Sequence, residues 1–367
     1  MRAVAVAVVL VATPAFAETE DFGGGSVIFA RGGALYQVDA KGKGETEIAT
    51  LPTKAIVRAL RTDADGKILL VDLAGTWSWL PLDGSTKTLQ DLPCADGPAQ
   101  LAEDGACVLC RGAKGSIIYN FALKKAFPTA VPPAGARLVG TGANRKLVWA
   151  DKTGVWSSPP GDPTAKTKVA AEAPLRSFLP SPDGGHAVGV YADTVFEGPR
   201  KKKPAEVLMG FQLDGEGARR KLIKSGVPVE WSHDNRWLLV QDAASACLVH
   251  TFGGEYKCWK GYTAASLSSD GRWGLVLGNR DGSKTQVPAK DVKKPAKPEP
   301  PPEPSDEPSN ETETDVPDPA ATVDVAVAPP KGPLSLFRTR LEGAFTDKPA
   351  MIVKVVDGAA VWVPKKP

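Results

Sequence analysis

Ser268-Ser269-Asp270-Gly271-Arg272-Trp273, followed by Gly274-Leu275-Val276-Leu277-Gly278, is the stretch that decides the fold. The phrase returns as Ser181-Pro182-Asp183-Gly184 before Ala187-Val188-Gly189-Val190, and as Ser232-His233-Asp234-Asn235-Arg236-Trp237 before Leu238-Leu239-Val240. A weaker copy is Asp63-Ala64-Asp65-Gly66-Lys67 before Ile68-Leu69-Leu70-Val71, and Glu103-Asp104-Gly105 before Cys107-Val108-Leu109 is weaker still. Asp, Asn and Gly tolerate positive φ, so each copy reads as a tight turn feeding a short apolar strand. Recurrence at roughly 35–50 residues is the signature of a propeller or solenoid. The expectation is an all-β chain, a single β-propeller of four-stranded blades.

Reading outward, blade one opens at Ser26-Val27-Ile28-Phe29-Ala30 and lacks an inner strand. Blades two to seven begin near Lys54, Cys94, Ala136, Leu175, Val227 and Ala264. Blade two carries Gly75-Thr76-Trp77-Ser78-Trp79-Leu80, where the tryptophans alternate with polar residues as on a half-buried strand. Blade five holds a long connection between its second and third strands. Blade seven is interrupted by residues 288–333, which are proline-rich and then acidic, without aromatics. Such a tract has too little apolar mass to fold and is expected to be disordered, with polyproline II character. Beyond it, residues 334–364 hold two strands for blade seven and a surplus strand, Ala359-Ala360-Val361-Trp362-Val363. That surplus matches the strand missing at the start, so the last strand should pair beside Val27-Ile28-Phe29 and close the ring. The count favours seven blades across residues 26–287 and 334–364, with six or eight open.

Four strings resemble the repeats of TolB-like (WD-repeat-like) β-propellers. They are Ser181-Pro182-Asp183-Gly184, Ser268-Ser269-Asp270-Gly271-Arg272-Trp273, Asn279-Arg280-Asp281-Gly282 and Leu35-Tyr36-Gln37-Val38-Asp39. The resemblance covers most of the chain and implies architecture only. The family includes periplasmic interaction proteins and propeller domains of prolyl-oligopeptidase-type hydrolases. No separate α/β domain precedes the blades, which sets the chain apart from TolB itself.

The first residues read as a secretory signal over residues 1–17: Arg2, an apolar run from Ala3 to Ala12, and the small-x-small site Ala15-Phe16-Ala17. No cysteine follows that run and no later apolar stretch reaches the roughly 20 residues of a membrane helix. A periplasmic or secreted product with no membrane span is expected. Lys+Arg 45 against Asp+Glu 42 argues against a nucleic-acid binder.

Export permits disulfides among the five cysteines. Cys247 and Cys258 fall opposite each other across the hairpin turn Phe252-Gly253-Gly254, as a facing pair about 4.5 Å apart at Cα. Cys107 and Cys110 point to opposite faces of one strand. Cys94 is therefore assigned to Cys110, and Cys107 to a buried free thiol. A metal site from these cysteines and the three histidines, His186, His233 and His250, is not expected.

Chemistry is sparse. A fused hydrolase would need a Gly-x-Ser-x-Gly elbow, and Gly24-Gly25-Ser26-Val27-Ile28 lacks the second glycine. Asp65, Asp104, Asp183, Asp234 and Asp270 are explained by their turns, His186 and His233 by their place in or beside them, and His250 by packing. Most of the nine tryptophans suit packing between blades, with Trp77 and Trp79 the candidates to stack on a glycan. Arg200-Lys201-Lys202-Lys203, in the loop of blade five, is a candidate partner-binding run. The tract of blade seven, with nine acids from Glu299 to Asp324, should leave the ring on the same face and could fold over that run. The reading is an exported, monomeric, non-enzymatic propeller, without cofactor or metal, that engages a protein or envelope polymer. The alternative is a ligand- or glycan-binding propeller with its site at the channel mouth.

Overall fold

Seven four-stranded antiparallel sheets follow one another along the chain in this computed structural model. It describes residues 25–279 and 334–364, apart from 96, 113–114, 134, 172, 175, 198–200, 214–218, 243, 269–272 and 341–348. The signal segment 1–17, the tract 288–333, the turn Ser269–Arg272 and Arg200 lie outside the described residues. Each sheet is a blade, with strands a to d running from the channel to the rim. Strand a is Ala59–Thr62 in blade two, Gln100–Leu101 in three, Arg137–Val139 in four, Arg176–Pro180 in five, Val227–Trp231 in six and Tyr262–Leu267 in seven.

Blade one takes its strand a from the far end of the chain. Ala360–Val363 pairs antiparallel with Ser26–Arg31, in the register Val27↔Trp362, Ile28↔Val361 and Phe29↔Ala360. Blade seven is completed by Leu334–Arg340 and Ala350–Val356. Closure in this way covers the inner edge of Ser26–Arg31, which would otherwise be open to another chain.

The repeated turn has a definite hydrogen-bond plan. A side-chain oxygen at the end of strand a accepts the N–H of the residue five places on. Ser181 Oγ takes His186 at 2.9 Å, Ser232 Oγ takes Trp237 at 3.0 Å, and Ser268 Oγ takes Trp273 at 2.8 Å. Asp63 does the same in blade two, its Oδ1 accepting from Lys67 at 2.8 Å and Ile68 at 2.7 Å. The aspartate two residues further on steadies the serine: Ser181 donates to Asp183 and Ser232 to Asp234, each at 2.5 Å. The turn then needs a left-handed residue, supplied by Gly184 (φ 70°) and Asn235 (φ 60°). These bonds satisfy backbone donors that the sheet ladder cannot reach.

Apolar side chains gather between neighbouring blades. One such cluster joins Val27, Phe29 and Trp362 of blade one to Leu275 and Leu336 of blade seven. Trp77 and Trp79 lie in the cluster between blades two and three, with Cys94, Cys110 and Phe121. The expected half-buried alternation fails here, because Trp77, Ser78, Trp79 and Leu80 are all buried. Both faces of a blade are covered by neighbours, so period-2 patterning loses its solvent side.

Blade five departs from expectation as well. Its second and third strands, His186–Glu197 and Lys201–Gln212, stay paired as far as Glu197↔Lys201. Lys201, Lys202 and Lys203 therefore stand on a strand of an extended hairpin, where a loop was expected. Both disulfides are present, Cys94–Cys110 and Cys247–Cys258, the latter a directly facing pair in blade six. Cys107 is a buried free thiol on the opposite face of its strand from Cys110, packed among Leu138, Leu147 and Trp149 of blade four.

Candidate functional site: the central channel

The strands a of the blades surround a cavity of about 660 Å³. Their registers place five side chains at one level, each two residues before the first residue of the repeated turn. Pairing to strand b identifies them: Arg61↔Leu70, Gln100↔Leu109, Leu179↔Val188, Glu230↔Leu239 and Ser266↔Leu275. The polar members hold the next blade. Gln100 accepts from Leu138 N–H at 2.6 Å and donates to Ala136 C=O at 2.5 Å. Glu230 Oε2 accepts from Leu267 N–H at 2.8 Å, and Ser266 Oγ accepts from Trp362 N–H at 3.3 Å. Arg61 is exposed to the channel, and Arg58 and Arg137 line the same cavity.

The end of the channel nearest the repeated turns carries a cluster of titratable groups. His233, in the turn of blade six, brings Nδ1 to 2.8 Å from Oε2 of Glu103, in the turn of blade three. Those blades face each other across the ring, so His233 is more than a turn residue. Glu103 also ties blades two and three, its C=O accepting Ala64 N–H at 2.9 Å. Asp63 is buried beneath, and its Oδ2 has no hydrogen-bond partner among the described residues. Gly105 leaves room for that oxygen, since a Cβ there would lie 2.6 Å from it.

Burial pushes the Glu230 carboxyl up to about 7, against the Leu267 N–H, His233, Ser266 and Arg61, which favour its charged form. Burial pulls the His233 imidazole down, but Glu103, Glu230 and Asp63 together outweigh it and hold the group above its ordinary value. Burial raises Asp63 too, opposed by the N–H groups of Ile68 and Lys67. Glu230 is thus near half-protonation at neutral pH, and His233 is held above its ordinary value. Of the other acids on the cavity wall, Glu103 is paired with His233 and Asp357 accepts Gly32 N–H at 2.7 Å. Arg58, Arg61 and Arg137 bring three guanidinium groups to the same wall.

Of the residues discussed from the sequence, His233 lines this cavity, while Trp77, Trp79 and the four bonded cysteines do not. Trp77 and Trp79 are each 4 % exposed, and the Trp77 indole donates to Gly97 C=O at 2.8 Å, so neither offers a face to a glycan. Trp156 is the half-buried tryptophan, with Lys166 Nζ 4.3 Å from its ring centroid. Lys201, Lys202 and Lys203 sit on the hairpin of blade five, and the four bonded cysteines between or within blades. His250 packs edge-on against Trp237, and His186 against Phe252. Among the described residues, no group of three His, Cys, Asp or Glu is placed to hold a metal. Sequence reasoning missed Arg61, Arg137 and Glu230. The signal was present in Arg61, Gln100 and Glu230, polar at a level where Leu179 is apolar.

The class is plain: a seven-bladed β-propeller, similar in architecture to TolB-like propellers. No protein-family model and no curated protein matches the chain. Among solved structures, TolB from Acinetobacter baumannii is 11 % identical, with 65 % of this chain and 63 % of that chain covered and a TM-score of 0.43. A chain of the nidogen/laminin complex is 13 % identical over 65 % of this chain and 94 % of that one, at 0.42. Hydrazine synthase of Kuenenia stuttgartiensis is 12 % identical over 62 % and 75 %, at 0.41. These likenesses concern the fold alone.

Proposed function

We propose that this is an exported binding propeller whose central channel receives a small ligand bearing an anionic group. The observation that carries the reading is the 660 Å³ cavity with Arg58, Arg61 and Arg137 on its wall. A cavity of that size is in the range of small-molecule sites, which combine apolar walls with a few placed polar groups. Leu101, Leu138, Leu179, Val229 and Ala265 supply apolar wall here, and the guanidinium forks suit a carboxylate, sulfate or phosphate. The two disulfides fit an oxidising compartment, in line with the signal-like start of the chain. Titration calorimetry of the full mature chain with sulfate and succinate tests the reading. Binding that Arg61→Ala weakens at least tenfold supports it, and binding indifferent to Arg61 and Arg137 removes it.

A second reading, engagement of a protein partner, is favoured by blade three. Its outer strand Lys125–Thr129 is the rim edge of the sheet, and Leu123, Phe127 and Val131 around it are exposed.

A further inference from the structure

We infer that ligand capture in this channel is coupled to the uptake of one proton by Glu230, so that the site fills in mildly acid surroundings and empties above neutrality. The inference rests on the channel reading above and assigns its regulation.

Glu230 and Arg61 occupy the same level, on blades six and two, which face each other across the cavity. An anion drawn to the Arg61 guanidinium therefore enters the field of the Glu230 carboxyl. Its Oε2 accepts Leu267 N–H at 2.8 Å, and its Oε1 lies 3.5 Å from the Ser266 hydroxyl. An ionised Glu230 repels the incoming anion, and the repulsion is poorly screened inside a narrow channel. A protonated Glu230 offers Oε1–H as a donor, and the ligand's anionic oxygen accepts it. One proton moves from solvent to Oε1, and no other bond is made or broken.

The surroundings of Glu230 leave it as the group best placed to take that proton. From its own turn it faces His233, which Glu103 already draws towards the cation. From blade two it meets Arg61 and, through His233, the buried Asp63. Blade seven offers Ser266 and Leu267, neither of which titrates here, and blade four contributes Arg137 to the wall. On the blade-five wall stand Leu179 and Pro180, which carry no charge. The carboxyl of Glu230, held near 7, changes charge where a modest acidification can act on it.

Blade three provides the control. Gln100 stands at the equivalent position and makes the same kind of inter-blade bond with an uncharged amide. Glu230→Gln should therefore keep the latch to Leu267 while removing the titration. The probe is sulfate, whose charge is constant across the range, titrated calorimetrically at pH 6 and pH 8 in buffers of different ionisation enthalpy. With binding limited to the protonated fraction, the apparent Kd of the wild type should rise about tenfold from pH 6 to pH 8. Close to one proton should be taken up per sulfate at pH 8. Glu230→Gln should bind with little pH dependence and no uptake, and its thermal midpoint at pH 6 should be no lower than that of the wild type. Arg61-dependent binding without proton uptake, or an unchanged pH slope in Glu230→Gln, overturns the inference and leaves the channel reading standing. Uptake lost only in His233→Gln also overturns it. Sulfate binding that ignores Arg61 removes the channel reading, and the inference with it.

Discussion

Glu103 and His233 belong to blades three and six, yet Oε2 of one lies 2.8 Å from Nδ1 of the other. Strand ladders bind each blade internally, and apolar clusters bind neighbours. This ion pair instead spans the channel. The histidine is held above its ordinary value, so the pair's contribution is fully present below the unfolded value near 6.5 and is lost as pH rises through the folded one. Both side chains are partly exposed, which limits the effect to about 0.5–1 kcal/mol. Glu103→Gln should therefore lower stability by that amount at pH 6 and by almost nothing at pH 9. Urea denaturation at the two pH values measures it; an equal loss at both would mean the ion pair is not the source.

Glu230 should imprint its own pH dependence on folding. The unfolded carboxyl ionises near 4.5 and the folded one near 7, so ionisation is harder in the fold. The sign follows: stability is greatest below about 4.5, falls as pH rises through 7, and is level above. Between pH 5 and pH 8 the wild type should lose on the order of 2 kcal/mol relative to Glu230→Gln. Parallel denaturant titrations of the two proteins across that range give the difference directly. Curves that run parallel would mean the carboxyl is ionised in the fold at both ends.

The ring was legible in the sequence because its determinants are local. Ser181, Ser232 and Asp63 fix the turns through bonds that reach five residues, and such bonds show up as spacing. Closure was legible for a different reason: strand Ala360–Val363 had no partner within its own blade. The channel was hidden. Arg61 and Glu230 interrupt otherwise ordinary strands, and only their register against strand b shows that they share a level. His233 looked like a turn residue because it is one, and nothing local announces Glu103 across the ring. Trp77 and Trp79 misled because alternation implies a wet face only when a sheet has one.

Asp104 shows how the turn motif doubles as a fastener between blades. Its Oδ1 accepts Ala106 N–H at 3.1 Å within its own turn. Across the gap to blade four, Arg145 donates to both oxygens, at 2.8 and 2.6 Å, and Gly142 N–H to Oδ2 at 2.9 Å. Burial works against its charge, but these donors outweigh it and hold the carboxyl below the usual aspartate range. Its contribution is therefore present above pH 4 and lost as pH falls through the depressed value. Asp104→Ala strands a partly buried guanidinium and should cost about 1–3 kcal/mol at pH 7, with the gap to wild type closing as pH falls below the usual aspartate value. Thermal denaturation against pH reads both; a gap unchanged in acid would place the cost in the turn alone.

Closure of the ring should be the step most sensitive to one side chain. Trp362 lies on the last strand, 4 % exposed, packed with Val27 and Phe29 of blade one and Leu275 and Leu336 of blade seven. Gly25 accommodates the indole, because a Cβ there would lie 2.5 Å from Nε1. Trp362→Ala removes the apolar mass that holds the two ends of the chain together, and core truncations of this kind cost about 3–5 kcal/mol. Trp156→Ala, at a half-buried ring flanked by Lys166 and Lys168, should cost less than half of that. The two variants differ in kind as well as size. Trp362→Ala should open the pairing of Ser26–Arg31 with Ala360–Val363, so amides of those strands should exchange with deuterium well before the rest of the ring. Trp156→Ala should leave them protected. Equal protection of the closing strands in both variants would mean that blade one does not depend on the C-terminal strand for its order.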